Sequence, residues 1–586
     1  MKVAKVIILF WFEIIGITLF SCKKSQPVKL PEVPNPPDTS VSVPVDTNYN
    51  PVNAPVAATM GFFLNNWQPK SYTPPANVKD TTAFSGAADV NITVDMNHVI
   101  TKVSPEVFGN NANLWIGQLV TQPVLMKYIT DLSPNIIRGP GGSISDVYFW
   151  NQSSAPPSDV PDSLYISGKK TSAGYWYGGN TQSWTLALNN YYALLQQTNS
   201  TGILTINYGY ARYGTGPHPV QTAAHLAADW VRYDQGRTKY WEIGNEDGGS
   251  WEAGYQIDPF QNQDGQPAII TGNLYGQQFL VFADSMRVAA KEAGATIYIG
   301  AQLLDAPPPS WADQTNKTWN QEVLTTAGSN ADFFIVHDYF TPYQTNSGVQ
   351  DVLATGNTVP ADAMNYLNQQ FSQYGVASKP VALTEWNIQA TGSMQDVSYI
   401  AGVHAAITLG ELIKNKFGEA SRWDLANGWS NGNDMGMFNI GDEPGGAPLW
   451  NPRPAFYYMY YFQKCFGDRM VSSSVGESND ILCYASSFGT DGAGIIIINK
   501  SANTHQVGIT LQHYATGSNY CWYTLTGGSD NGNFSRKVYV NGQGPAGVSG
   551  GPLNYATVAA YSASTKSGIK ITVPPYGVVY LVVARN

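Results

Sequence analysis

Short apolar runs recur along the middle of the chain and alternate with longer stretches in which apolar residues follow helical spacing. Three of those stretches, QTAAHLAADWVRYD, GQQFLVFADSMRVAAKEA and SYIAGVHAAITLGELIKNKF, predict helices. Between about Val103 and Arg469 the apolar runs predict eight buried strands: EVFGNNANLW, NIIRGPGG, GILTINYG, KYWEIGNE, TIYIGAQLL, FFIVHDYF, PVALTEWN and a last one near ASRWDLANGW. Eight strand–helix units favour an α/β fold of the (β/α)₈ TIM barrel type. A doubly wound sheet is the competing architecture, and the lack of a clean phosphate-binding loop argues against it.

After about Met470 the helical spacing stops. Short alternating segments such as GAGIIIINK, HQVGITL and GVVYLVV follow, separated by Gly, Asn and Ser, and they predict a C-terminal β-sandwich over residues 470–586. The stretch VNITVDMNHVITKV also alternates and predicts one or two half-buried strands. We therefore expect residues 60–104 to pack on the sandwich and residues 105–469 to form the barrel.

The first residues have the pattern of an export signal. Lys2 and Lys5 precede VIILFWFEIIGITLF, an apolar run shorter than the ~20 residues needed to span a membrane. The run ends just before Cys22, so residues 1–21 predict a bacterial lipoprotein signal peptide and acylation of the Cys22 thiol. A plain signal peptide or an uncleaved anchor is the alternative. The Pro-rich residues 22–59 predict an extended tether, so we expect an exported protein, lipid-anchored to a membrane of the bacterial cell envelope.

Composition narrows the class of ligand. Only 13% of the residues are charged, against about 25% in an average soluble domain, while 12% are aromatic. This balance suits neutral polar ligands bound by stacking and hydrogen bonds, although a β-rich exported protein with aromatic residues in its core has the same composition. The net charge of −10 argues against a nucleic-acid partner. Cys465, Cys483 and Cys521 lack C-x-x-C spacing, which argues against a zinc site and a redox motif. We expect no metal and no organic cofactor.

In a barrel of this type the carboxyl ends of the strands carry the function. Two glutamates fall there, Glu246 after the fourth predicted strand and Glu385 on the seventh. The other residues at these ends can hydrogen-bond to a sugar or stack on it: Asn110, Asn111, Arg138, Asn207, Tyr208, Asn245, His337, Tyr339, and Trp423 to Trp429.

Two carboxyl groups facing one polar cleft are what glycosidic bond cleavage requires. One must be protonated to protonate the leaving oxygen, and the other must be ionised to attack or support the anomeric carbon. Arg138 is placed to stabilise an ionised Glu385, which leaves Glu246 with a raised pKa as the acid. A single glutamate at a strand end is equally explained as a solvated loop charge, but two in matching contexts favour the catalytic interpretation. Glu242 is explained by a structural ion pair.

The segments WEIGNE (241–246) and LTEWN (383–387) resemble the acid/base and nucleophile segments of clan A glycoside hydrolases, which are retaining (β/α)₈ enzymes. The resemblance implies that Asn245 holds the sugar 2-hydroxyl, that Glu246 is the acid/base and that Glu385 is the nucleophile. His337 and Tyr339, in VHDYF, resemble the clan's sixth-strand pair that orients the nucleophile. For the remaining substrate-binding positions we expect Arg138, Asn207 and, as a sugar platform, Trp423.

Within the clan, the pattern is most similar to family 51, typified by α-L-arabinofuranosidases. RGPGGSISDVYFW, INYG, AADWVRYDQG, YWEIGNEDGGSW and TEWN follow in that family's order, and the similarity runs roughly from residue 90 to residue 470. The chain departs from the family after the first strand, where FGNNANLW has no carboxylate in place of a substrate-binding glutamate. The loop DGGSWEAGYQIDPFQNQDGQP is also long.

The sequence therefore predicts a retaining glycoside hydrolase, α-L-arabinofuranosidase-like, that cleaves plant or algal polysaccharide or its oligosaccharides by double displacement. One alternative is an endo-acting β-glycanase of the same clan, of the agarase, galactanase or xylanase type. Another is a surface glycan-binding lipoprotein without catalytic activity.

Overall fold

The computed structural model describes residues 48–429, 435–476, 478–489 and 492–586, without the side chain of Ser393. The predicted signal peptide, Cys22 and the first part of the predicted tether lie outside these residues. Within the described ranges, no helix combines the length and the hydropathy that crossing a membrane would need.

Eight parallel strands close into a barrel, and each of the eight stretches predicted as a strand contains one of them. Neighbours in the chain are neighbours in the barrel, and the eighth strand pairs with the first to close it. The (β/α)₈ fold predicted from the sequence is therefore confirmed. The strands are β1 Gly109–Asn111, β2 Ile136–Gly139, β3 Thr201–Ile206, β4 Tyr240–Ile243, β5 Tyr298–Gln302, β6 Phe333–Tyr339, β7 Val381–Asn387 and β8 Glu419–Arg422.

One long helix follows each barrel strand before the next strand begins, except that the last leads into the C-terminal sheet. Several begin at residues that satisfy the free backbone N–H groups of the first turn: the side chains of Thr271, Asp313 and Ser398 each accept a bond from the backbone three residues on. The helices are α1 Pro123–Leu132, α2 Leu188–Thr198, α3 Pro219–Asp234, α4 Gly272–Ala293, α5 Gln314–Ala327, α6 Val349–Gln373, α7 Tyr399–Lys414 and α8 Pro454–Cys465.

The loops at the carboxyl ends of the strands are enlarged and partly structured. They carry short helices at Gly209–Tyr213 and Ser393–Asp396, and short strands at Tyr148–Phe149, Ser163–Ile166, Lys169–Ser172, Trp176–Tyr177, Ala426–Asn427 and Phe438–Asn439. These insertions build the rim of the barrel, where the predicted site residues lie.

The opposite end of the barrel is closed by a single helical turn, Gly61–Leu64. Phe62 stacks on Tyr298 with ring centroids 3.8 Å apart, and Phe63 stacks on Tyr240 at 4.7 Å. Both tyrosines begin barrel strands, so the two phenylalanines form an apolar floor. The first part of the 60–104 segment thus packs on the barrel, whereas we expected it on the sandwich.

The C-terminal residues form one 11-stranded sheet, and it includes strands from the N-terminal side of the barrel. Val90–Lys102 lies inside this sheet, antiparallel to Arg469–Gly476 and parallel to His505–Gln512. Along the sheet the order is Val78–Asp80, Ala560–Ser564, Thr516–Gly527, Val578–Arg585, Gly492–Asn499, Ile481–Phe488, Arg469–Gly476, Val90–Lys102, His505–Gln512 and Ile569–Val573, with Val538–Val540 paired to Thr516–Gly527.

The sheet folds back on itself as a sandwich does. Residues from both ends share one apolar core, including Trp522, Ala563, Ile509 and Ile571. The Tyr520 hydroxyl donates to the carbonyl of Lys570 at 2.8 Å, which links strands from opposite ends of the sheet order. The outer face of the sheet packs on α7 and α8.

Candidate active site

Glu246 reaches the cleft because the chain turns sharply after β4. Gly244 has φ +75° and Glu246 has φ +47°, both in the left-handed region. A Cβ at Gly244 would lie 1.9 Å from Asp247 Oδ2, so only glycine fits there. Because a left-handed glutamate is unfavourable by itself, the surrounding contacts must hold this turn, as is common at functional sites.

Glu385 lies within β7 and is almost completely buried, with a side-chain exposure of 5%. Arg138 Nη1 donates to its Oε1 at 2.7 Å, and the Tyr339 hydroxyl donates to its Oε2 at 2.6 Å. Burial raises the pKa of Tyr339 well above its usual value, so this hydroxyl stays protonated and remains a donor. Both oxygens of Glu385 are therefore fixed by donors from β2 and β6.

Arg138 is completely buried and joins Glu242, Asn245 and Glu385 in one hydrogen-bond network. Its Nε donates to Glu242 Oε2 at 2.5 Å, and its Nη2 donates to Asn245 Oδ1 at 2.8 Å. Burial alone would lower the pKa of Arg138, but the carboxylates of Glu242 and Glu385 raise it above its usual value. Glu242, also fully buried, is the structural ion-pair partner expected from the sequence, and it balances the arginine charge in the barrel interior.

His337 lies against Glu246 and not primarily against Glu385. Its Nδ1 is 2.7 Å from Glu246 Oε1 and 3.8 Å from Glu385 Oε1, while its Nε2 is 3.0 Å from Thr384 Oγ1. The resemblance implied a histidine that orients the nucleophile. In the structure that contact is made by Tyr339, and His337 is the partner of the proposed acid.

The pKa of Glu246 shifts in the direction opposite to the one expected from the sequence. Burial raises the pKa of Glu246, but the hydrogen bond and charge of His337 lower it, and the net direction is down. The pKa of His337 moves the other way: burial lowers it, while Glu385 and Glu246 raise it above the usual value. This net direction is opposite to the raised pKa expected at Glu246, and within the Glu246–His337 pair the raised pKa belongs to the imidazole.

The two carboxyl groups lie close together. One oxygen from each of Glu246 and Glu385, together with a ring nitrogen of His337, all fall within 4.8 Å of one another. Such a cluster has the size of a metal site, but the Arg138 guanidinium bonded to the same Glu385 opposes a further cation there.

A cleft of about 200 Å³ opens beside Glu246. The indole Nε1 of Trp251 donates to Glu246 Oε2 at 2.8 Å, and half of the Trp251 residue is exposed. Residues from the ends of β5 and β6 complete the lining, among them Leu303, Leu304 and Asp305. The proposed acid therefore lies at the wall of an open cleft, whereas Glu385 is buried beside His337 and is not among the residues that line this cleft.

Behind Glu246 lies a group of buried acids that the sequence analysis missed. Glu252 Oε1 accepts from Ser143 Oγ at 2.7 Å and from Asn245 Nδ2 at 3.0 Å. Asp146 accepts the backbone N–H groups of Gly209 and Asn245. Burial raises the pKa of Glu252 well above its usual value and that of Asp146 to about 8. The only sequence signal was the position of Glu252 six residues after Glu246, in a stretch that otherwise reads as a polar loop.

Two of the predicted binding residues, Asn245 and Trp423, are almost completely buried. Asn245 is 2% exposed and is held between Arg138 and Glu252, at the base of the Glu246 turn. Trp423 follows β8 and is 8% exposed, with its ring packed on Gly142, so it is not the open platform expected from the sequence.

Asn207 is not a cleft residue, which corrects the prediction. Its Nδ2 donates to the Tyr148 carbonyl at 3.2 Å and to the Tyr213 hydroxyl at 3.1 Å. Its Oδ1 accepts from the backbone of Tyr210 at 2.9 Å. The side chain therefore holds the loop after β3, because a polar residue just past a strand end serves a turn as readily as a ligand.

The chain is similar to known proteins in part of its sequence and in its fold. Residues 128–334 match a family model described as the α-L-arabinofuranosidase 1 domain, a range that contains Arg138 and Glu246 but ends before Glu385. A sequence comparison with curated proteins found no match.

Solved structures share the fold across most of the chain. An α-L-arabinofuranosidase from Thermotoga maritima has a TM-score of 0.59 at 16% identity, over 85% of this chain and 100% of that one. A family 51 α-L-arabinofuranosidase from Thermotoga petrophila RKU-1 gives 0.59 and 16%, over 84% and 100%. A family 44 xyloglucanase from Paenibacillus polymyxa gives 0.54 and 13%, over 85% and 100%. At these identities the likeness shows the fold, and together with the family-model match it supports a glycosidase.

Proposed function

We propose that this protein is a retaining glycoside hydrolase, α-L-arabinofuranosidase-like, that acts on plant or algal polysaccharide or its oligosaccharides. The observation that carries the proposal is the Glu246–Glu385 pair, in which one oxygen of one carboxyl group lies within 4.8 Å of one oxygen of the other. Retaining glycosidases place the two carboxyl groups about 5–5.5 Å apart, whereas inverting enzymes need about 6.5–9.5 Å to admit a water. The short separation favours attack by Glu385 itself.

In the first step an oxygen of Glu385 gives an electron pair to the anomeric carbon and forms a glycosyl ester. The bond from that carbon to the leaving oxygen breaks, and the leaving oxygen takes a proton from Glu246. Arg138 and Tyr339 position the attacking carboxylate through the bonds at 2.7 and 2.6 Å. In the second step water attacks the anomeric carbon and gives a proton to Glu246. The ester bond breaks as the bond to water forms, and Glu385 leaves with the electron pair and regains its charge.

The proton for the first step is held by the Glu246–His337 pair. Because their facing atoms are 2.7 Å apart, the proton moves from Nδ1 to the carboxylate with little displacement of either group. When Glu385 becomes an ester it loses its negative charge, which removes a main cause of the raised pKa of His337. The proton affinity of the pair then falls after the first step, and Glu246 is left ionised as the base for the second.

The isosteric variants Glu246→Gln and Glu385→Gln test the assignment. Each is expected to lower kcat on an aryl glycoside substrate of the wild-type protein by about 10²–10⁴-fold or more. Proton NMR of the first product formed is expected to show the configuration of the substrate. Near-normal turnover in either variant would sink the residue assignment, and an inverted product would sink the double displacement.

The substrate to test first is an α-L-arabinofuranoside, since residues 128–334 match the domain of that description. An endo-acting β-glycanase is the second candidate. The end of β1 favours it, because Asn110, Asn111 and Asn113 stand where the family resemblance implied a substrate-binding carboxylate. A glycan-binding protein without activity would have no need of the paired carboxylates.

We also propose that Cys22 is acylated and that the exported protein is anchored to the bacterial cell envelope. The support is the sequence alone: a basic start, an apolar run and a cysteine before a Pro-rich tether. Cys22→Ser is expected to abolish labelling by a palmitate analogue and to move the protein out of the membrane fraction. Unchanged labelling would reject Cys22 as the acylated residue.

A further inference from the structure

Large exposed aromatic rings are concentrated on one end of the barrel. Among the described residues, six aromatic side chains are strongly exposed, and five of them lie in loops that follow the carboxyl ends of barrel strands. The sixth, Tyr233, lies at the end of α3, where its ring is 5.2 Å from that of Trp150 and its hydroxyl donates to Asn189 Oδ1. The five are Trp184 after β2, Trp251 and Phe260 after β4, Trp311 after β5 and Tyr343 after β6.

A single exposed ring needs no explanation, because much of any protein surface is apolar. Five exposed rings on the face that carries Glu246 and Glu385 do need one, since exposed apolar groups gathered around a cleft mark a binding surface. Trp311 is 85% exposed, so its ring gains little from packing in the free protein. A ligand that covers it would remove its apolar face from water.

The cleft lies on one side of the bond that is cleaved, the side of the leaving group. Glu246 protonates the leaving oxygen, so the leaving part of the substrate must lie on the Glu246 side of the site. The cleft opens on that side. Trp251, whose indole Nε1 donates to Glu246 Oε2 at 2.8 Å, forms part of its wall.

The loop that bears Trp311 continues this wall. Asp305 lines the cleft where the chain leaves it, and Asn316 lines it where the chain returns at the start of α5. Trp311 lies between the two, on the same β5–α5 loop. A chain of sugars that leaves the cleft past Trp251 therefore meets the β5–α5 loop next.

The lining suits a neutral polar ligand. Apart from Glu246, Asp305 and His337, the cleft residues carry no charge, and they include Gln302, Asn316 and two tryptophans. Indole faces stack on the C–H faces of a sugar ring while amides bond to its hydroxyl groups. In the part of the chain that the structure describes, no lysine or arginine lines this cleft to pair with an anionic polysaccharide.

We propose that the substrate is a neutral chain-like glycan that extends several sugar units beyond the cleaved bond on the leaving-group side, with Trp311 as an outer platform for it. This inference rests on the proposed function, because it takes Glu246 as the proton donor. It implies an enzyme whose substrate continues as a chain on the leaving-group side of the cleaved bond, and not one whose substrate ends within a unit or two of that bond.

The test compares Trp311→Ala with the wild-type protein on substrates of increasing length. The substrates are aryl glycosides and oligosaccharides of two to six units from arabinan, xylan and galactan. The wild-type kcat/KM is expected to rise with length. Trp311→Ala is expected to lower kcat/KM about tenfold on the longest good substrate, equivalent to about 1.4 kcal/mol, and to leave the aryl glycoside unchanged. Tyr233→Ala, at an exposed ring on α3 and outside the five loops, is the matched control and is expected to change neither.

The proposal is overturned if kcat/KM is independent of length, or if Trp311→Ala lowers it equally on short and long substrates. An equal loss in Tyr233→Ala would also overturn it. If the wild-type protein cleaves none of these substrates, the proposed function fails, and calorimetric affinities for the same oligosaccharides decide the inference. Affinity that rises with length and falls in Trp311→Ala supports the extended surface; affinity independent of length rejects it.

Discussion

The contact between Glu246 and His337 determines how the proposed acid works. His337 Nδ1 lies 2.7 Å from Glu246, and the two pKa values move in opposite directions, down for Glu246 and up for His337. Glu385 and Arg138 also face the pair, the first raising and the second lowering the pKa of His337. The pair therefore keeps one proton at a pH where an isolated glutamate would have lost it.

This arrangement predicts the alkaline limit of activity. Because the pKa of His337 is raised above 6.5, the proton stays on the pair below that raised value and is lost as the pH rises through it. The alkaline limb of kcat/KM is thus expected above pH 6.5. In His337→Gln the proton must sit on Glu246 alone, so the limb moves to lower pH, toward the range of a carboxyl group. A limb at the same pH in both proteins would show that another group holds the proton.

At the scale of single elements, the sequence predicted the barrel well and some of its side chains poorly. The short apolar runs located all eight strands, because a barrel strand is buried on both faces and is therefore apolar along most of its length. They located Glu246, Glu385, Arg138 and Tyr339 at the rim, since their place at strand ends follows from the strands themselves.

What the sequence did not reveal depends on contacts between distant segments. Asn207 was predicted to bind substrate, yet Tyr148, Tyr210 and Tyr213 occupy its hydrogen-bonding groups. The direction of the pKa shift at Glu246 required the position of His337, 91 residues away. Periodicity assigns a residue to an element, but it does not say which neighbour reaches its side chain first.

The turn Gly61–Leu64 is an element whose role is purely structural. Phe63 is 1% exposed and packs on Tyr240 and Phe333, at the start of β4 and β6. Phe63→Ala is expected to lower the free energy of unfolding by about 3–5 kcal/mol, measured by denaturant titration. Because the site lies at the other end of the barrel, kcat/KM below the transition should stay as in the wild type. Phe260→Ala, at a phenylalanine 98% exposed, is the matched control, and equal stability of the two variants would contradict a floor role for Phe63.

At the scale of the whole molecule, the barrel and the sheet share both chain and core. Val90–Lys102 precedes the barrel yet lies within the sheet, between Arg469–Gly476 and His505–Gln512. The buried face of α7 is not limited to a stripe, because every residue from Tyr399 to Ile413 is buried. A helix that is buried all round must be covered on two sides, here by the barrel and by the sheet.

The contacts between α7, α8 and the sheet are close. Gly410 lies against the Tyr484 ring, with room for no Cβ, and the Tyr580 hydroxyl donates to the Tyr458 carbonyl at 2.9 Å. Removing the sheet would expose these surfaces together, and such apolar patches cause aggregation. The barrel predicted from the sequence as residues 105–469 is therefore not expected to fold alone.

This expectation is tested by comparing residues 105–469 with residues 48–586, produced in the same way. The longer chain is expected to be soluble and to unfold in one cooperative transition, because one core runs from the barrel into the sheet. The shorter chain is expected to be insoluble, or soluble without the near-UV circular dichroism of packed aromatic residues. A shorter chain that keeps that signal and hydrolyses the same aryl glycoside would mean that the barrel is self-sufficient. In that case the sheet would be an attached domain, and the shared packing at α7 would contribute little to the free energy of folding.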